Sequence, residues 1–96
     1  AATNLPENSQ DLILLVDVYH EFSRPQEMVR SIRRALKDTG RLVLLEYRKE
    51  DPDVPIRLEH KMSVKEVRME FEPEGFRVEK VIDKLPWQHM IFLRKQ

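Results

Sequence analysis

The pattern of apolar and polar positions is most distinctive near the start of the chain. An unbroken apolar run extends from Leu12 to Val16 and is bounded by Asp11 and Asp17. Such a run is typical of a strand buried on both faces, which is the usual environment of a strand in a parallel sheet. The pattern therefore predicts a buried strand over about residues 10–18.

A helix and a second strand are predicted next. Apolar residues recur at three- and four-residue spacing, which indicates one helix face packed on a sheet; they are Met28, Val29, Ile32, Ala35 and Leu36. Ser23 and Gln26 fit a capping box, and Pro25 fits the first turn. Gly40 is predicted to end the helix in the left-handed conformation. The apolar run 42–45 then predicts a strand that is joined to the first by a right-handed parallel crossover.

The middle of the chain predicts a charged loop and a shorter helix. The loop covers residues 48–62 and is interrupted by prolines. Ser63 and Glu66 fit a second capping box, so a helix should begin there. Pro73 and Gly75 are expected to end it.

Two further strands are predicted over 76–83 and 90–93. Because the connection between them is short, they should form an antiparallel hairpin. The fold class is therefore α/β, with three parallel strands, one antiparallel hairpin strand and two helices in a single domain over residues 1–96.

Composition narrows the classes of function. Lysine plus arginine equals aspartate plus glutamate at 17 each, so charge gives no argument for a nucleic acid or an anionic membrane as partner. No apolar stretch is long enough to span a bilayer. Zero cysteines exclude disulfides and thiolate metal ligands and fit a cytoplasmic protein. The chain has two glycines, Gly40 and Gly75, so it contains no glycine-rich phosphate or nucleotide loop, which also disfavours a dinucleotide oxidoreductase.

Several segments carry a family resemblance. Residues 5–14 (LPENSQDLIL) resemble an "LP-x-x-S-x-D-hydrophobic" approach to a strand, and residues 19–22 (YHEF) resemble its "YHH-F" end. Residues 32–44 (IRRALKDTGRLVL) are similar to "I-x-R-x-LKPGG-R-L-hydrophobic", with Asp38-Thr39 in place of Pro-Gly, and 74–76 resemble an "AGF" motif. In this order the segments resemble the carboxyl-terminal half of a class I S-adenosylmethionine-dependent methyltransferase of type 11, which has a Rossmann-like sheet. The resemblance implies that the strands are ordered first, second, fourth and third across the sheet, with the last hairpin strand inserted.

The resemblance implies that the chain supplies one wall of the cofactor crevice. The glycine-rich loop and the ribose-binding acid of the family lie upstream of the segments that match. We therefore expect S-adenosylmethionine as the cofactor, weak or absent binding of it by this chain alone, no turnover by this chain alone, and a small-molecule methyl acceptor for a complete enzyme.

Topology and resemblance together predict the site residues. If the strands run in parallel, their carboxyl ends share one edge with the hairpin turn, where open α/β sheets bind ligands. Catalytic roles are expected for His20, Glu21 and Glu46. Cofactor contacts are expected for Asp17, Val18 and Tyr19. Substrate contacts are expected for Tyr47, Arg48, His60 and His89.

Other interpretations of these residues stay open. His20 suits a general base by type and place, but it could also only form a hydrogen bond at a strand end. Glu46, His60 and His89 could serve packing or structure. A metal site made of the histidines has no recognisable spacing, so no metal is expected.

A different class of function also fits the sequence, namely a noncatalytic module for oligomerisation or interaction that keeps the half-fold. The first strand would lack its family neighbour on one side, and an exposed apolar edge invites pairing. We therefore expect a homodimer through the edge of strand 10–18.

Overall fold

The computed structural model describes residues 4–17, 24–57 and 61–96. In chain order the elements are β1 (Gln10–Val16), α1 (Pro25–Ala35), β2 (Leu36–Arg48), β3 (Lys61–Met62), α2 (Val64–Phe71), a 3-10 turn (Glu72–Glu74), β4 (Phe76–Ile82) and β5 (Gln88–Lys95). Sequence patterns predicted the two helices and the strands β1, β2, β4 and β5, but neither the two-residue β3 nor the 3-10 turn. In the described part of the chain, no helix is long and apolar enough to cross a membrane.

The start of α1 differs from the prediction. Its N-cap is Arg24, whose side chain makes no capping hydrogen bond, and Pro25 occupies the first turn as expected. Ser23, the predicted capping residue, lies outside the described residues.

The end of α1 contradicts the prediction that Gly40 caps it. The helix ends at Ala35, Leu36 is already extended, and Gly40 lies inside β2 without a positive φ. The reason is tertiary: the carbonyls of Arg34 and Ala35 accept backbone hydrogen bonds from residues 8 and 9, at 2.8 and 2.9 Å. Since the last carbonyls are satisfied by the segment that leads into β1, a glycine cap is not needed.

The predicted capping box of α2 is confirmed. The Glu66 amide donates to the Ser63 hydroxyl at 3.0 Å, and the Ser63 amide donates to the Glu66 carboxylate at 3.1 Å. Gly75 follows the 3-10 turn at φ 88°, a conformation that favours glycine. The carbonyl of Gly75 accepts a hydrogen bond from the Arg33 guanidinium at 3.2 Å, which joins the end of the 3-10 turn to α1.

The sheet is mixed, with the order β1-β2-β5-β4, and β3 pairs with β2 outside this path. This is the predicted order, and the β4–β5 hairpin is antiparallel as expected. The description as three parallel strands needs correction, since parallel pairs occur only at β1–β2 and at the short β2–β3 among the described residues. β5 lies between β2 and β4 and pairs antiparallel with both, so β4 has no parallel neighbour.

Both helices pack on the same face of the sheet. Val29 and Ile32 of α1 and Val67 and Phe71 of α2 share one buried cluster with strand residues of that face. The strand members of the cluster, or residues packed against it, include Ile13, Leu15, Leu42, Leu44, Ile91 and Leu93. Phe71 and Phe76 meet edge to face, with ring centroids 5.9 Å apart.

β1 is not buried on both faces, contrary to the prediction. Ile13 and Leu15 point toward the helices, whereas Leu12, Leu14 and Val16 point the other way and are 58, 53 and 43% exposed. The apolar run meets a helix layer on one side only within the described part of the chain.

Candidate functional site

The carboxyl end of β1 turns sharply at Asp17. Its amide still donates to the Leu45 carbonyl at 2.8 Å, which continues the parallel ladder with β2. Its φ is +53°, in the left-handed region that is uncommon for residues other than glycine, although aspartate tolerates it better than most. Such conformations concentrate at binding and catalytic sites, because surrounding contacts must hold them.

A side chain from the hairpin holds this turn. The amide nitrogen of Gln88 donates to both carboxylate oxygens of Asp17, at 2.9 and 2.7 Å. Gln88 is the first residue of β5 and lies opposite Tyr47 of β2. The sequence predicted that the hairpin turn lies at this edge and predicted a role for His89, but none for Gln88. A polar amide at the start of a hairpin strand was the available signal.

Arg48 fixes the hairpin turn itself. Its guanidinium donates to the carbonyls of Gln88, at 2.7 Å, and of Pro86, and contacts the Asp83 carboxylate at 3.2 Å. Its backbone amide also donates to the Trp87 carbonyl at 2.9 Å. The predicted substrate-binding Arg48 therefore has its donors engaged in turn contacts, and its side chain is only 12% exposed.

Glu46 and His89 lie opposite each other on β2 and β5 and are 0 and 1% exposed. Glu46 lies two residues from Leu44 on β2, and His89 lies two residues from Ile91 on β5. Residues two apart on a strand share a face, so both side chains face the helix layer, as Leu44 and Ile91 do. The Nε2–H of His89 donates to the Met62 carbonyl at 2.8 Å. The sheet thus brings these two predicted site residues together, but it places them beneath the surface.

The predicted residues after Asp17 lie outside the described residues, namely Val18, Tyr19, His20 and Glu21, as does His60. Their roles stay predictions, and so does the gathering of three histidines. Tyr47 is half-buried near the carboxyl end of β2, between Gln88 of β5 and Lys61 of β3. Within the described ranges, no group of three or more histidine, aspartate or glutamate side chains could hold a metal ion.

One ion pair and one hydrogen bond join the loop after β2 to α2. Lys49 contacts the Glu66 carboxylate at 3.0 Å, and Glu50 accepts from the Val64 amide at 2.9 Å. Burial opposes ionisation of Glu66, but hydrogen bonds from Ser63 and Lys49 outweigh it and hold the pKa of Glu66 below its usual value. These contacts anchor the chain as it leaves the edge of the sheet.

A cleft of about 530 Å³ lies elsewhere, between the start of α1 and the end of α2. Its lining is Arg24, Pro25, Gln26, Glu27, Met69, Glu70, Pro73 and Glu74. Burial, with repulsion from Glu66, raises the pKa of Glu70. The cleft shares no residue with the Asp17–Gln88 contact, and Glu74 is engaged by Arg30 at 2.8 Å. The strand ends therefore remain the better candidate site.

Comparisons with known proteins show what the chain resembles. The model of the family described as a methyltransferase domain matches residues 1–44. No curated protein matches the chain.

Solved structures match nearly the whole chain. A protein from Sulfolobus solfataricus that is assigned as a type 11 methyltransferase has a TM-score of 0.84 and 29% identity, covering 97% of this chain and 54% of its own. A SAM-dependent methyltransferase from Aquifex aeolicus has a TM-score of 0.86 and 25% identity, covering 99% of this chain and 50% of its own. The chain therefore spans about half the length of each.

The fold alone does not determine the chemistry, since the [4+2]-cyclase SpnF shares it at a TM-score of 0.76 and 14% identity. The matching family and the two structures with higher identity are all described as methyltransferases. By these findings the chain resembles the carboxyl-terminal half of a type 11 S-adenosylmethionine-dependent methyltransferase.

Proposed function

We propose that this chain forms one half of a small-molecule methyltransferase and supplies one wall of its S-adenosylmethionine crevice at the carboxyl ends of β1 and β2. The observation that carries the proposal is the sharp turn at Asp17, held by Gln88, at the edge where α/β sheets bind ligands. The sequence has no cysteine, which fits the cytoplasmic location that we propose for the chain.

The described residues could form one wall of a binding site for the cofactor, but not a complete site. Each carboxylate oxygen of Asp17 accepts one bond from Gln88 and keeps a further lone pair for a hydroxyl or amino group of a ligand. Both glycines have other structural tasks, Gly40 within β2 and Gly75 at the end of the 3-10 turn. We therefore expect this chain alone to bind the cofactor weakly.

When bound, the cofactor supplies a methyl group on a positively charged sulfonium. The task of the protein is then to hold the acceptor in line and to remove a proton where the acceptor carries one. We assign proton removal to His20, assisted by Glu21, and ligand contact to Asp17, Val18 and Tyr19. Tyr47 and His60 would contact the acceptor.

Three predicted site residues act indirectly in this proposal. Glu46 and His89 are almost fully buried, so they would position β2 and β5 rather than touch the acceptor. Arg48 would position the hairpin that carries Gln88, because its donors contact the carbonyls and the carboxylate of that turn.

The experiment is a chimaera. The half of the Aquifex aeolicus methyltransferase that matches this chain is replaced by residues 1–96, and binding of S-adenosylhomocysteine is measured by calorimetry. The intact Aquifex enzyme and its amino-terminal half alone are the controls. We expect the chimaera to bind and the isolated half not to bind.

A matched pair of variants then tests the assigned edge. Asp17→Ala in the chimaera should weaken binding, whereas Asp38→Ala, which removes a carboxylate that is 95% exposed near the start of β2, should change it little. A chimaera with a native circular dichroism spectrum and no affinity for S-adenosylhomocysteine would refute the proposal.

A further inference from the structure

The cleft between the two helices is a cavity that the proposed function does not use. Its volume of about 530 Å³ is that of a small-molecule pocket. Residues from the start of α1 form one wall, and residues from the end of α2 and the 3-10 turn form the other. The lining includes no residue of β1 and none of the strand ends. The cleft is therefore a second candidate binding site, separate from the cofactor edge.

Three carboxylates line the cleft, and two of them have partners within the chain. Glu74 contacts the Arg30 guanidinium at 2.8 Å, and Glu27 lies 3.6 Å from a guanidinium nitrogen of the N-cap residue of α1. From the residues that the structure describes, no hydrogen bond or ion pair reaches the Glu70 carboxylate. Partial burial and a neighbouring carboxylate act on it instead, and both raise the pKa of Glu70. Glu70 is therefore the carboxylate for which a positively charged ligand would be a partner.

The rest of the lining favours an organic cation over a metal ion. Across the described ranges, no group of three or more histidine, aspartate or glutamate side chains could hold a metal ion, so the lining carboxylates do not converge on one point. Pro25, Pro73 and Met69 supply apolar surface, and Met69 is 66% exposed. A flexible methionine side chain adapts to the shape of an apolar ligand. The cleft thus offers one available negative charge beside apolar surface.

The kind of cation follows from the chemistry of the lining. None of the described lining residues is aromatic, so a quaternary ammonium would find no ring face of the kind that binds such groups. A carboxylate accepts hydrogen bonds, which a primary ammonium donates and a quaternary ammonium cannot. We propose that the cleft binds a primary amine carried on an apolar body, with the ammonium at Glu70 and the body against Pro25, Pro73 and Met69. This inference stands apart from the proposed function.

Titration with tryptamine, followed by two-dimensional NMR of the isotope-labelled 96-residue chain, tests the proposal. We expect saturable shifts of the backbone amides of Gln26, Met69 and Glu70, with a dissociation constant of about 1 mM for a ligand of this size. Tryptophol has the same apolar body with a hydroxyl group in place of the ammonium. It should bind about fivefold more weakly, which is near the upper value for a partly exposed ion pair.

A matched pair of variants isolates the carboxylate. Glu70→Gln should weaken tryptamine binding by about the same fivefold factor and leave tryptophol binding unchanged. Glu72→Gln is the control, because it makes the same change two residues along, at a carboxylate that lies 3.8 Å from Arg68 and outside the lining of the cleft. This variant should bind tryptamine like the parent. Both positions are exposed and both changes keep the size of the side chain, so both variants should retain the native NMR spectrum.

Four results would overturn the proposal. They are the absence of saturable shifts at millimolar tryptamine, shifts confined to other parts of the chain, equal affinity for tryptamine and tryptophol, and unchanged tryptamine affinity in Glu70→Gln. The quaternary analogue N,N,N-trimethyltryptammonium separates hydrogen bonding from charge alone. It should bind more weakly than tryptamine, and equal binding would overturn the assignment of a primary amine.

Discussion

The contact between Gln88 and Asp17 joins residues 71 positions apart and provides the most direct test of the strand-end architecture. Gln88→Ala removes the only donor that this side chain offers to the carboxylate. The change leaves Asp17 in a left-handed conformation without the contact that holds it.

The magnitude follows from the type of hydrogen bond. A bond to a charged group contributes about 1.5–3 kcal/mol when it is well buried. Both partners are only partly buried, so water replaces some of the loss, and we expect Gln88→Ala to lower the free energy of unfolding by about 1–2 kcal/mol. For a domain of this size that corresponds to a fall in Tm of about 4–16 °C.

A double-mutant cycle isolates the contact, with unfolding followed by urea and circular dichroism. Asp17→Gly removes the carboxylate and also the cost of a positive φ, since glycine adopts that conformation readily. In the Asp17→Gly background, Gln88→Ala should therefore cost almost nothing, giving a coupling energy of about 1–2 kcal/mol. Gln96→Ala is the matched control, because Gln96 is exposed and its contact to Gly75 uses the backbone amide, which alanine keeps.

Two results would contradict the reasoning. If Gln88→Ala costs the same with aspartate or glycine at position 17, the glutamine does not act through that carboxylate. If Gln88→Ala is neutral in both backgrounds, the strand end is held by other contacts.

Other predictions concern the core, the turn after α2 and the response to pH. Phe71→Ala should destabilise the fold by about 3–5 kcal/mol in urea titrations, because it empties a fully buried site; a loss below about 1 kcal/mol would contradict that packing. Gly75→Ala should destabilise by about 1–2 kcal/mol, since φ is 88° and a Cβ would lie 2.6 Å from the Arg33 Nε; an unchanged urea midpoint would contradict this conformation. The lowered pKa of Glu66 means that its ionised form stabilises the fold above its unfolded pKa and that this contribution is lost as the pH falls through the folded value, so Glu66→Gln should cost more stability at pH 7 than in acid. Glu70 has a raised pKa and the opposite sign, so Glu70→Gln should stabilise the fold at neutral pH; equal stability of each variant and the parent at both pH values would contradict the two assignments.

Local patterns accounted well for the elements that depend on neighbouring residues. The Ser63–Glu66 capping box and the β4–β5 hairpin were predicted from a few residues each and are present. The strand order that the family resemblance implied is also present, with the last strand inserted between the second and the one before it. The prediction for Gly40 was wrong. The helix ends earlier because backbone amides of the segment before β1 donate hydrogen bonds to its last carbonyls.

What the sequence determined by itself is the set of elements, their order and the edge at which ligand-binding residues should gather, since periodicity, caps and turns act over short distances. Tertiary structure decided which side chains meet there. It buried the side chains of Glu46 and His89 between the sheet and the helices. It also placed Arg48 in hydrogen bonds with the hairpin turn and brought Gln88 into contact with Asp17. It also left Leu12, Leu14 and Val16 exposed, although the same apolar run reads as a strand buried on both faces. Burial depends on what packs against a strand, and that is a property of the assembled sheet rather than of the run itself.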